Sequence, residues 1–194
     1  MEKIAGLSAF DASGSLRAVI ESPRGSAVKL KYDPELGLMT YGRPLPLGLR
    51  FPCEWGFVPG TRAEDGDPLD VLVLSEAATF PGVVIACRAI GVIQVEQDNR
   101  ERRGRERNDR IVAVPLADKR AEPQQRYEDI APRVRAELDA FLLAAVQFQA
   151  KHVVIVGHAG PAEAQALVKR LVVPRSEAHR RTISSSLLSR NSVI

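Results

Sequence analysis

Cysteine is scarce in this chain of 194 residues, which has only Cys53 and Cys87. Two thiols cannot build a disulfide framework, so the fold must rest on an apolar core, which a chain of this length can bury unaided. A reducing compartment and buried, inert thiols are the simpler reading. Long apolar runs are missing too: nothing nears the roughly 18 uninterrupted apolar residues of a membrane helix. Residues 1–10 lack the charged start, apolar middle and small-residue cleavage site of a secretory signal. The expectation is a soluble, cytoplasmic protein with no membrane partner. Aromatics make up 5% of the chain, few for a surface that stacks nucleobases. Charge of one sign is also lacking. The whole net charge of +3 falls on residues 174–194, where Arg175, Arg180, Arg181 and Arg190 face Glu177 alone. The neutral remainder offers nucleic acid no electrostatic footprint. Walker A, Gly-x-Ser-x-Gly and Gly-x-Gly-x-x-Gly sequences are absent, and the three histidines have no zinc-helix spacing. ATP cradling, serine hydrolysis, hydride transfer and a helical zinc site therefore lack their parts.

What is present begins as short strands. Segments 16–21, 27–32, 38–41, 49–51, 71–74, 83–95 and 110–114 are β-branched or alternating and end near Gly or Pro. Their spacing of roughly 8–12 residues predicts a closed or nearly closed barrel. The period then changes. Ile130, Val134, Leu138, Phe141, Leu142, Ala145 and Phe148 recur at three- and four-residue steps, which predicts an amphipathic helix over 128–149. A strand over 152–156 and a helix over 161–171, with Pro161 in its first turn, follow. The charge-dense segment 97–109 carries five arginines without apolar periodicity and reads as a solvated hairpin loop. Residues 1–173 are expected to form one domain and 174–194 a flexible basic tail.

The most informative segment is Glu64-Asp-Gly-Asp-Pro-Leu-Asp70, followed at once by the apolar run Val71-Leu-Val-Leu74. Asp65, Asp67 and Asp70 repel one another unless a cation or proton intervenes, and oxygen donors in that number suit Mg²⁺ or Mn²⁺ rather than zinc. A plain Asp-Gly turn with acidic neighbours is the bland alternative. An EF-hand fails, since Asp70 stands where that loop needs glycine and a strand follows. Upstream lie Glu21, Lys29, Lys31 and Arg43. Carboxylates that bind Mg²⁺, faced by Lys and Arg, are what a phosphoanhydride needs: ions generate the hydroxide and basic side chains hold the phosphoryl groups.

In that order, and with Phe51-Pro-Cys-Glu-Trp-Gly-Phe-Val58 between Arg43 and the acidic turn, the sequence resembles family I soluble inorganic pyrophosphatase. The likeness spans about residues 15–160 and includes Cys87–Val92 and Ile111–Pro115. It implies an α+β, mainly β fold, an OB-like five-stranded closed barrel with flanking C-terminal helices, and hydrolysis of diphosphate to two orthophosphates. Several Mg²⁺ ions per site are implied, with Mn²⁺ as an alternative ion. Asp65 and Asp70 would ligate the activating ions, Glu21 a further substrate-borne ion, and Asn108 would stand in for a metal-binding aspartate. Asp67 would accept the proton of the attacking water, while Lys29 and Arg43 would bind phosphoryl oxygens. A homo-oligomer, a hexamer in bacterial members, is implied too.

The departures are specific. Lys31 replaces a glutamate, Trp55 and Phe51 stand where tyrosines are usual, and Arg110 replaces a lysine. The partner aspartate implied at the other end of the charged loop has no clear equivalent, with Glu96, Asp98 or Asp109 as candidates. Ala145-Val146 replaces a tyrosine–lysine pair, removing two phosphate ligands and leaving the pocket roomier. None of these removes the hydroxide-generating aspartates, so hydrolysis is expected to persist. A related phosphoanhydride hydrolase with a changed substrate, an OB-like nucleic-acid module and a phosphate-sensing non-enzyme are the alternatives.

Overall fold

In chain order the strands are β1 (Leu16–Ser22), β2 (Val28–Asp33), β3 (Leu38–Pro44), β4 (Glu54–Phe57) and β5 (Asp70–Val73). They continue as β6 (Val84–Asp98), β7 (Arg105–Arg107), β8 (Arg110–Pro115) and β9 (Val153–Ala159), with helices α1 (Pro132–Ala144) and α2 (Pro161–Leu171). The computed structural model describes residues 4–99, 104–149 and 152–174. Five strands close a ring: β1 pairs β4, β4 pairs β5, β5 runs parallel to β8, β8 pairs β6, and the start of β6 returns to β1. This is the five-stranded closed barrel expected. The 15-residue β6 serves four neighbours along its length, β1, β8, β7 and β9, and bends at the irregularity between Ala89 and Gly91. Its far end carries β7 and β9.

Both faces of the ring are covered, which is why β5 and β8 read as unbroken apolar runs. Leu72, Val112 and Val114 join Ile93, Phe51 and the inner face of α1 in one cluster. Their neighbours Val71, Val73, Ile111 and Ala113 join Ile20, Val58 and the inner face of α2 in another. The period of two splits a single strand between two cores. Gly56 is obligatory where β4 crosses β1: a Cβ there would lie 2.0 Å from the Val19 carbonyl oxygen, against backbone that cannot yield.

Several elements differ from the sequence expectation. Residues 54–57 form a strand although their pattern did not suggest one, because ring closure supplies pairing partners on both sides. Segment 49–51 is no strand; Phe51 exchanges backbone hydrogen bonds with Ser26 and Gly25 instead. The long helix is shorter than 128–149. Tyr127–Asp129 forms a 3₁₀ turn, α1 begins at Pro132, and the helix ends at Ala144. Proline suits the first turn because its missing N–H has no partner there anyway. Phe148 is 83% exposed, off the core face it was assigned. In the described part of segment 97–109 the end of β6 pairs antiparallel with β7, and Glu106, Asn108 and Asp109 are buried, so that part is not wholly solvated. The expected flexible tail falls on 174–194, and 175–194 lie outside the described residues. Among the described residues no helix is long and apolar enough to cross a membrane.

Candidate active site

The hairpin of β2 and β3 stands apart from the ring and is tied to it by two β1 side chains. Tyr32 N donates to Glu21 Oε1 at 2.7 Å and Leu30 N to Ser22 Oγ at 2.8 Å. A cleft of about 1450 Å³ opens between this hairpin, the acidic turn and the end of α1. It brings together all seven residues expected at the site: Glu21, Lys29, Arg43, Asp65, Asp67, Asp70 and Asn108.

The acidic turn is locally determined. Ala63 N donates to the Asp67 carbonyl and Gly66 N to the Ala63 carbonyl, with Gly66 at φ +86°, a conformation glycine adopts without strain. Buried Thr61 braces it: its hydroxyl donates to the Val58 carbonyl at 2.6 Å and accepts from Leu69 N at 3.0 Å. Asp65 and Asp67 thus stand on the turn and Asp70 on the first residue of β5. Burial pushes the Asp65 carboxyl above its ordinary pKa, and Asp67 and Asp70 add to the rise despite the Asp67 N–H. Glu21, 6% exposed, is raised to about 7, first by burial and then by Asp70, against the Tyr32 N–H, Lys29 and Lys31.

Each acidic-turn carboxylate is already engaged by another side chain, Asp65 and Asp67 through hydrogen bonds and Asp70 through an ion pair. Asn108 Nδ2 donates to Asp65 Oδ2 at 2.9 Å, Lys31 Nζ to Asp67 Oδ2 at 2.8 Å, and Arg110 Nε lies 3.1 Å from Asp70 Oδ2. Burial works to lower the Lys31 pKa, but Asp67, with Glu21 and Asp70, leaves it raised. The Asn108 oxygen accepts from Arg110 Nη1, so an ion ligated by it would share that oxygen with the guanidinium. Trp55, buried on β4, carries two cations on its ring, Lys29 Nζ at 5.1 Å and Arg110 Cζ at 5.4 Å from the centroid. Arg43 faces Lys29 across the hairpin. With its carboxamide oxygen turned to the guanidinium, Gln149 accepts from Arg43 Nη2 at 2.8 Å, from Nη1 at 3.1 Å and from Nε. Burial lowers the Arg43 pKa.

None of Glu96, Asp98 and Asp109 lines the cleft. Glu96 and Asp98 pair with Arg105, while Asp109 accepts from Val95 N and Arg107. The strand period explains this. Val95 and Gln97 of β6 face the cleft, so the alternate residues 96 and 98 face away. Buried Gln97, between the candidates Glu96 and Asp98, is the residue that lines the cleft instead, and its Nε2 donates to buried Glu106 at 2.8 Å. Gln97 and Gln149 were missed because a glutamine carries no chemical signal in sequence, and position 97 lay beyond the strand expected over 83–95, which runs on to Asp98. Ala145 and Val146 line the apolar end of the cleft with Phe51, Leu142 and Val153.

A family model described as inorganic pyrophosphatase matches residues 18–174. The chain belongs to the inorganic pyrophosphatase family. It is 41% identical over 123 residues to the inorganic pyrophosphatase of Thermus thermophilus, across 63% of this chain and 67% of that protein. To the inorganic pyrophosphatase of Nostoc sp. it is 33% identical over 159 residues, 82% and 90% of the two chains. The crystal structure of the Thermus thermophilus inorganic pyrophosphatase matches with a TM-score of 0.80 at 32% identity, covering 88% of this chain and 97% of that one.

Pyrophosphatases of this family depend on metal, and the donors here fit a hard divalent ion. Asp65, Asp70 and Glu21 are oxygen donors, and the raised pKa values of Asp65 and Glu21 reflect burial first and then repulsion from neighbouring carboxylates, which a cation would relieve. Among the described residues, however, no group of three or more His, Cys, Asp or Glu stands gathered around one point. An ion would have to draw these carboxylates together and compete with Lys31 and Arg110.

Proposed function

We propose that this pyrophosphatase-family chain hydrolyses inorganic diphosphate to two orthophosphates by attack of a metal-activated water, with Mg²⁺ as the ion and Mn²⁺ able to replace it. The single observation that carries this reading is the meeting of Asp65, Asp67, Asp70 and Glu21 with Lys29 and Arg43 in one cleft. Asp65, Asp70 and Glu21 would hold the ions, with the Asn108 oxygen as a neutral donor. Bound there, the ions would acidify a water and offset the charge of the phosphoryl oxygens. Asp67, 55% exposed at the mouth, takes the proton of the attacking water. Lys29 and Arg43 hold and neutralise the phosphoryl groups, and both are themselves held, Lys29 by the Trp55 ring and Arg43 by Gln149. The amides Gln97 and Asn108 lower the negative charge of the cleft, which supports weaker ion binding than two carboxylates would give.

One observation favours a second substrate range. Ala145 and Val146 line the cleft beside Phe51, Leu142 and Val153 where the resemblance implies a tyrosine and a lysine, and the missing bulk and charge favour a diphosphate that carries an organic substituent. The family reading also carries a cytoplasmic homo-oligomer, a hexamer by resemblance, which sedimentation of the purified chain tests. The deciding experiment is phosphate release from diphosphate with Mg²⁺, Mn²⁺ or chelator, beside Asp67→Asn. Metal-dependent release that the variant loses supports the reading, and release unaffected by chelation overturns it. Release from nucleoside diphosphates at a comparable rate would favour the second range.

A further inference from the structure

We propose that Lys31 is a built-in counter-cation, through which this cleft binds the diphosphate anion with one divalent ion fewer than a carboxylate at that position would require. The inference rests on the cleft being a diphosphate site, and it comes from how the acidic turn is partnered. All three of its carboxylates are engaged by side chains of the same chain: Asp65 by an amide, Asp67 by an ammonium, Asp70 by a guanidinium. Among the described residues, carboxylates and cations line the cleft in equal number. A cleft of that composition does not need several ions merely to admit an anion.

Position 31 is where the sign of charge matters most. Lys31 follows Lys29 by two residues on β2, and both side chains reach the cleft from the hairpin. The Lys31 ammonium meets Asp67 at 2.8 Å, with both side chains about half exposed, so the contact is made at the mouth, on the approach of an incoming phosphoryl group. Lysine presents a compact charge on a flexible four-carbon stem, so the ammonium can turn from Asp67 to a phosphoryl oxygen without backbone movement. A carboxylate at position 31 would repel both Asp67 and the substrate and would itself call for a cation. The lysine supplies that positive charge without one. Arg110 is already fixed by Asp70, Asn108 and Trp55 and has no such freedom.

The test is calorimetric titration of the full chain with imidodiphosphate, a non-hydrolysable diphosphate analogue, in excess chelator and again with Mn²⁺. Lys31→Gln and Lys31→Glu are compared, both at a half-exposed position where folding is not at stake. Wild type is expected to bind in chelator, Lys31→Gln to bind there about tenfold or more weakly, as for a lost charged hydrogen bond, and Lys31→Glu not to bind. Equilibrium dialysis of the analogue complexes should then give Lys31→Glu one more bound Mn²⁺ than wild type. No binding by wild type in chelator, unchanged binding by Lys31→Gln, or equal Mn²⁺ counts would each overturn the assignment. Phosphate release by wild type with Mg²⁺ separates the two readings. Release without analogue binding in chelator overturns the role of Lys31 alone. Analogue binding without release under any metal overturns the diphosphatase while leaving Lys31 as proposed.

Discussion

Most of the acidic wall of the cleft, Asp65, Asp67 and Asp70, comes from one stretch, residues 65–70, whereas the cationic wall is assembled from hairpin β2–β3 and β8 and supported by the chain beyond α1. The first is shaped by its own turn hydrogen bonds, Gly66 and Thr61. In the second, side chains distant in sequence hold one another: Arg43 and Gln149, Arg110 and Asp70, Lys29 and Trp55. A locally built wall keeps its chemistry so long as its short segment is kept. A wall built at long range can change members, as at Ala145 and Val146, and find support elsewhere.

The sharpest way to test that contrast is Asp67→Asn, which leaves the turn intact and removes the proton acceptor. Steady-state phosphate release should fall by about 10²–10⁴-fold. On the opposite wall, Arg43→Gln should act mainly on binding, raising KM by about tenfold or more for one lost charged contact. A larger effect on kcat than on KM would show that Arg43 serves the transition state instead. Gln149→Ala should be milder, a few-fold in KM, in line with about 1 kcal/mol for a supporting hydrogen bond. An effect as large as that of Arg43→Gln would make Gln149 a binding residue in its own right.

The smallest expected effect concerns pH. Buried Glu21 is raised from 4.5 to about 7, so the native state favours its protonated form. Its contribution to stability is then complete below pH 4.5 and lost as pH rises through 7. Thermal melts of metal-free protein should show Tm lower at pH 8 than at pH 5.5, with Glu21→Gln reducing the difference. An unchanged difference in the variant would assign the pH dependence to other groups.

Much of this was legible in the chain itself. The acidic turn could be read because its donors and its glycine lie within six residues, and α2 ends where its pattern ends, at Leu171. The helix over 128–149 could not be bounded by period alone, since residues 145–149 continue the apolar spacing but leave the helix to bring Gln149 to Arg43. Strand β4 was hidden because its pairing partners, β1 and β5, lie on either side of it in the chain and only ring closure aligns them.

The sequence by itself determined the chemistry on offer: three clustered aspartates, a glutamate at the end of a strand and the basic residues Lys29, Lys31 and Arg43. Only the tertiary structure decided which groups meet. Whether β6 turns Gln97 or its acidic neighbours to the cleft is set by a strand register fixed through long-range pairing. Whether Lys31 faces Asp67 or solvent is set by how the hairpin is tied to β1 through Glu21 and Ser22. Local hydrogen bonds act within a few residues, and so they can be read from order along the chain. Contacts between distant segments depend on a closed ring that exists only once the whole barrel has formed.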